Sequence, residues 1–133
     1  MTAVIDASAL APYLVDDATG RVVAQELLPH ANSLHLPHLA VVETASVIRG
    51  WLRGAQITVE RAGAALTHLA DFPATRWPHE PLLPRIWVLR DNLSAYDATY
   101  VALAEALNAS LITHDQRLVR AVEAHAACPV RLV

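Results

Sequence analysis

The chain contains no lysine; all ten of its basic residues are arginine. The crowding of Ala and Leu alongside this points to GC-rich codon usage rather than to function, although arginine is the better bidentate ligand for phosphate and carboxylate. Cysteine is nearly absent. The single Cys128 excludes an intramolecular disulfide and any zinc site built on two to four thiolates, and it suits a reducing, cytoplasmic setting. Only four glycines occur (Gly20, Gly50, Gly54 and Gly63), with neither Walker nor dinucleotide-binding spacing. The N-terminus lacks a basic segment and meets an acid at Asp6, so it does not read as a signal peptide. No uncharged apolar run approaches the roughly 18 residues that span a bilayer. A soluble, intracellular protein without a membrane partner is expected.

Repeats, low-complexity tracts and Gly/Ser linkers are missing as well, so residues 1–133 read as a single domain. That length is too short for a (β/α)₈ barrel or a two-domain cofactor enzyme, yet long enough for a real core. What is present is apolar: 54% hydrophobic against 17% charged residues, which excludes a disordered chain.

Short β-branched and apolar runs at Thr2 to Ile5, Ser33 to Leu36, Ser110 to Thr113 and Val130 to Leu132 read as strands, with one more around Thr75 to Trp77. Helical spacing recurs from Asp6 to Val15, Gly20 to Leu28, Leu39 to Leu52, Thr58 to Phe72, Ile86 to Asn92, Ser94 to Leu107 and Gln116 to His125. The four prolines of Pro73 to Pro84 mark that stretch as a connection. Alternating strands and helices predict an α/β fold with a mostly parallel central sheet of short strands flanked by helices. Such sheets bind ligands at the carboxyl ends of their strands.

That rule selects among the acids. Asp6 and Asp115 each follow a strand and open a helix, where an N-cap role would explain them. Asp97 stands in Ser94-Ala-Tyr-Asp97, the spacing of a capping box, in a first turn that favours negative charge. Glu43 lies inside a helix beside Val41 and Val42, so it stands on a solvated edge or turns inward for a purpose. Taken together, the four can converge on one rim of the sheet. Convergent carboxylates repel unless a cation sits between them, and an all-oxygen cluster selects Mg²⁺ or Mn²⁺ over zinc. The seven histidines show no zinc-like spacing. His114, next to Asp115, is expected to point away from the rim. Trp51, Trp77, Trp87, Tyr96 and Tyr100 are expected in packing or a dimer interface rather than stacked on bases.

The chain resembles the PIN-domain ribonucleases, in particular the VapC toxins of prokaryotic type II toxin–antitoxin pairs. "VIDASALAPYL" is similar to the family's opening strand and first acid, and "LPHLAVVETASVIR" to the segment carrying its glutamate. The most specific stretch, "LSAYDATYVALAEALNASLITHDQRLVRAV", strings together the third acid, its helix, the next strand and the fourth acid. The resemblance implies a PIN-like three-layer fold and metal-site roles for Asp6, Glu43, Asp97 and Asp115, with Thr113 as an auxiliary hydroxyl. It implies Mg²⁺-dependent endoribonucleolytic cleavage by metal-activated water, leaving a 5′-phosphate and a 3′-hydroxyl. It also implies a homodimer that assembles with a VapB-like antitoxin into a hetero-oligomer. Arg49 and Arg53, and Arg117 and Arg120, then become candidate contacts to RNA phosphate or antitoxin carboxylate, against the plainer reading of solvated helix charge. Two other readings remain: a PIN-fold nuclease acting in RNA processing or on DNA, and a non-catalytic binding protein with an acidic rim.

The net charge of −3 looks unfriendly to RNA, since phosphate binders usually carry a basic excess. If four of the thirteen acids form one metal site, nine acids remain against ten arginines. The acidic total then reflects the site, and the metal-free protein should bind RNA poorly.

Overall fold

The computed structural model describes all 133 residues. In chain order the elements are β1 (Ala3–Ile5), α1 (Ala7–Val15), α2 (Ala18–Leu27), β2 (Leu34–Pro37), α3 (His38–Arg53), α4 (Val59–Asp71), β3 (Thr75–Trp77), α5 (Leu83–Val88), α6 (Ala95–Ala106), β4 (Ser110–Thr113), α7 (Gln116–His125) and β5 (Val130–Leu132). Short 3₁₀ turns at Leu28–His30 and Glu80–Leu82 lead into β2 and α5.

The five strands form one sheet in the order β3-β2-β1-β4-β5, and every pairing is parallel. Right-handed crossovers then put α1 to α4 on one face and α5 to α7 on the other. The contacts agree: α1 packs on α2, α3 and α4, whereas α6 lies on β1, β2 and β4. A sheet covered on both faces needs apolar residues along whole strands rather than alternation. Ala3, Val4 and Ile5 of β1 are all buried, as are Leu111, Ile112 and Thr113 of β4. All of these except Thr113 join Leu10, Ile48, Val101, Leu103, Leu118 and Val122 from the helices in one core cluster.

The strands β1 and β4 are neighbours, yet the chain leaves β1 toward β2 and leaves β4 toward β5. This reversal is the topological switch point of the sheet, where the two crossovers diverge and open a crevice. Asp6 ends β1 and Asp115 follows β4, so both stand at its mouth.

Most elements lie within two residues of their expected bounds. The exception is α5, expected over Ile86 to Asn92 but spanning Leu83–Val88. Pro84 occupies its first turn, where the missing N–H costs nothing, and so starts a helix inside the proline-rich connection.

Close packing of α1 on α2 depends on Gly20, where a Cβ would meet the Pro12 carbonyl oxygen at 2.1 Å. Gly20→Ala gains helix propensity, yet the two backbones must separate. A net loss of roughly 1–3 kcal/mol is expected in chemical denaturation. Unchanged or higher stability would mean that α2 shifts without penalty.

Candidate active site at the carboxyl edge of the sheet

A cleft of about 260 Å³ opens at the switch point, lined by Asp6, Ser8, Glu43, Ser46, Asp97, Tyr100 and Asp115 with Ala7 and Val47. All four acids singled out in the sequence therefore face one space. They arrive from four places: the end of β1, the second turn of α3, the first turn of α6 and the turn after β4.

The capping roles and the cleft coexist. Asp6 accepts the Ala9 N–H at 3.2 Å and caps α1. Asp115 spends Oδ1 on the Arg117 and Leu118 amides at 2.9 and 3.2 Å, capping α7. For α6 the cap is the Ser94 hydroxyl, which accepts the Asp97 N–H at 3.1 Å. The Asp97 carboxylate faces Arg117 instead: its Oδ2 lies 3.9 Å from Arg117 Nη2, which is 3.6 Å from Asp115 Oδ2. Both are long pairs to an exposed arginine, and such pairs are worth little.

Asp6 is the best-held acid. Ser8 Oγ donates to its Oδ1 at 2.7 Å, and Thr113 Oγ1 donates to its Oδ2 at 2.6 Å. Those same hydroxyl oxygens accept the amides of the following turn, His114 N–H on Ser8 at 2.8 Å and Asp115 N–H on Thr113 at 3.0 Å. Two hydroxyls thus aim their protons at Asp6 and pin the turn that carries Asp115. Ser8 escaped sequence reasoning, although its place two residues after Asp6 was a usable signal. Tyr100, read there as packing, is a cleft residue whose hydroxyl donates to Glu43 Oε1 at 2.6 Å.

Burial dominates the electrostatics. Asp6 is 5% exposed, and burial pushes its carboxyl up to about 6 from an ordinary 3.8, opposed by the Thr113, Ser8 and Ala9 hydrogen bonds and aided by the Asp115 charge. Burial also raises the Asp97 carboxyl, with Arg117 opposing and Asp115 adding to the rise. These acids are short of positive charge, which is what a bound cation would supply.

No three His, Cys, Asp or Glu side chains close into a preformed ion cage. An open set of carboxylates is nonetheless the arrangement that suits Mg²⁺, which keeps several waters and takes one or two carboxylates plus substrate oxygens. The donor set fits such an ion.

The other candidates lie outside the cleft. Arg49 borders a separate apolar groove between α3 and α4, lined also by Ala45, Ile48, Leu52, Val59 and Leu66. Arg53, the last residue of α3, and Arg120, on α7, are exposed and form no ion pair. The His114 ring pairs with the Val133 carbonyl, away from the acids. Trp77 packs at the sheet edge, its indole N–H donating to His35 Nδ1 at 3.0 Å. No helix is long and apolar enough to cross a membrane.

Comparison with known proteins identifies the family. The PIN domain family model matches residues 3–124. The VapC ribonuclease Mb0985 of Mycobacterium bovis is 41% identical over 130 residues, covering 98% of this chain and 97% of that protein. Among solved structures, PAE2754 from Pyrobaculum aerophilum superposes with a TM-score of 0.73 at 21% identity, over 98% of this chain and 83% of that one. The Mycobacterium tuberculosis toxin VapC20, described as cleaving the sarcin–ricin loop, superposes with a TM-score of 0.68 at 15% identity, over 95% and 97% of the two chains. A cleft of four acids at the switch point of an all-parallel sheet, in a chain matched along nearly its whole length, leads to one conclusion: the protein belongs to the PIN-domain family, among its VapC-type ribonucleases.

Proposed function

We propose that residues 1–133 form one PIN domain acting as the toxin of a type II toxin–antitoxin pair, an endoribonuclease that hydrolyses RNA phosphodiester bonds with Mg²⁺ or Mn²⁺. The observation that carries this reading is the convergence of Asp6, Glu43, Asp97 and Asp115 on one cleft. A divalent ion, when bound, lowers the pKa of water and offsets charge developing on phosphate oxygens. Asp6 and Asp97 are the principal ligands. Asp115 offers Oδ2, its Oδ1 being committed to the α7 cap, and serves as ligand or outer acid. Glu43 offers Oε2 as ligand or to orient the attacking water, its Oε1 being held by Tyr100. Ser8 and Thr113 keep Asp6 in place. Water rather than the RNA 2′-hydroxyl is the nucleophile, and breakage of the P–O3′ bond, which the resemblance to the PIN-domain family implies, leaves a 5′-phosphate and a 3′-hydroxyl.

Arg117 stands at the mouth of the cleft, loosely paired, and is free to turn to an RNA phosphate once a cation takes over the carboxylates. Arg120 lies one turn further along α7. The apolar α3–α4 groove, with Arg49 at its border and Arg53 on the same helix, offers a VapB-like antitoxin an apolar seat beside the cleft. Leu83, Trp87 and Val88, 54%, 68% and 62% exposed on α5, offer apolar surface for a homodimer, which the antitoxin would join in a cytoplasmic hetero-oligomer.

The purified protein should cleave RNA with Mg²⁺ or Mn²⁺ and not with EDTA. Its induction should arrest growth, relieved by co-expression of an antitoxin encoded beside it. Intact RNA under every metal condition, or cleavage that persists in EDTA, refutes the mechanism.

A further inference from the structure

We infer that Tyr100 is a positioning residue, whose hydroxyl holds the Glu43 carboxylate at the working edge of the cleft. The inference rests on the metal-dependent reading of the cleft and adds to it a residue that is not itself a ligand.

Tyr100 sits three residues after Asp97 on α6, so both project from the same face of the helix. Asp97 reaches the cleft directly. Tyr100 is 2% exposed and lines the cleft, where its hydroxyl donates to Glu43 Oε1 at 2.6 Å. Glu43 belongs to α3, on the opposite face of the sheet from α6. The bond therefore ties the two helical layers together over the carboxyl edge of the strands.

Glu43 needs such a tie. Unlike Asp6, which has two hydroxyls and an amide, it has no hydrogen bond except the one from Tyr100. It is also the longest of the four acids, with one more rotatable bond than an aspartate, and it emerges mid-helix without a capping role to anchor it. A free Glu43 would sample several rotamers across the cleft. The buried ring of Tyr100 has no such freedom, and a hydroxyl donor on a fixed ring orients its acceptor. Burial, with the Glu43 bond and charge adding to it, raises the Tyr100 hydroxyl above its ordinary range, so it remains a donor at any pH at which the protein works. Outer partners of this kind typically matter by roughly 10–100-fold in metal affinity or activity.

The test is a double-mutant cycle with Tyr100→Phe and Glu43→Ala, read by calorimetric Mn²⁺ binding and by steady-state RNA cleavage. Phe keeps the buried ring, and Glu43 is only half-buried, so water can replace the lost donor and the fold should survive, as thermal melting will report. Tyr100→Phe alone should weaken Mn²⁺ binding and lower kcat within roughly the 10–100-fold range, with KM for RNA changed far less. In the Glu43→Ala background the same substitution should have almost no further effect, because its carboxylate target is gone. Equal losses in both backgrounds would make Tyr100 merely structural and overturn the inference. So would wild-type Mn²⁺ affinity and kcat in Tyr100→Phe. If the wild type itself neither binds Mn²⁺ nor cleaves RNA, the metal-dependent reading falls and takes this inference with it, a result distinct from the other two.

Discussion

Asp6→Asn should abolish RNA cleavage, by on the order of 10³-fold or more, and at pH 8 the metal-free variant should melt higher than the wild type. Both effects come from the same carboxylate. Asp6 is buried and its carboxyl is raised from 3.8 to about 6. Between those values the folded protein keeps a proton that the unfolded chain releases, so stability falls as pH rises through that window and the full cost is present above about pH 6. The gap corresponds to about 3 kcal/mol, an order-of-magnitude figure. For a chain of this size that is roughly 10 °C in Tm.

Asparagine removes the charge and still satisfies the network. Its carbonyl can accept from Ser8 and Ala9 as Asp6 Oδ1 does now. Its amide can donate to Thr113 Oγ1, provided Thr113 turns its own proton to Ser8 Oγ, only 3.1 Å away. Melting in EDTA at pH 4.5 and pH 8 checks the argument. The gain should be large at pH 8 and fall to roughly a third at pH 4.5, where folded wild-type Asp6 is already neutral and only the unfolded chain still releases the proton. A variant no more stable than the wild type at pH 8 would show that the buried charge is not a burden.

Mn²⁺ or Mg²⁺ should have the complementary effect on the wild type. At a hundredfold excess over Kd an ion that binds only the folded state adds about 2.7 kcal/mol, again roughly 10 °C. The sign of its pH dependence is opposite to that of the metal-free stability. Protons compete for Asp6 below about pH 6, so apparent affinity should fall about tenfold for each unit of further acidification. The metal-induced shift in Tm should therefore be large at pH 8, small at pH 5 and absent in Asp6→Asn. Cleavage should follow the same profile and disappear in EDTA. A shift equal at both pH values, or retained in Asp6→Asn, would place the ion elsewhere.

Much of this architecture was legible from residue types. Consecutive apolar residues, Ala3 to Ile5 in one strand and Leu111 and Ile112 in another, announce a sheet covered on both faces, because they do not alternate with polar ones. Thr58, Ser94 and Asp115 announce helix starts through capping chemistry that acts over three residues. Where local signals compete, the reading slipped. The prolines before α5 read as a connection, yet Pro84 in a first turn starts a helix.

The identity of the four acids is likewise a sequence property. Each stands at a strand end, a helix start or an unexplained apolar position that can be named without coordinates. Their partners are not. Thr113 is 107 residues from Asp6 and Tyr100 is 57 from Glu43, and no periodicity or propensity spans such separations. Nor could composition say which acid would lose its water: Asp6 and Asp115 share the same local pattern, but Asp6 directly follows the central strand of the five, whereas Asp115 stands two residues beyond a strand one place nearer the edge. Element order, parallel pairing and the list of carboxylates could be read along the chain, because their signals act over a few residues. That Ser8 and Thr113 hold Asp6, that Tyr100 holds Glu43 and that Arg49 borders a different groove emerged from the packing of distant segments. Those outcomes depend on how the two crossovers diverge between β1 and β4.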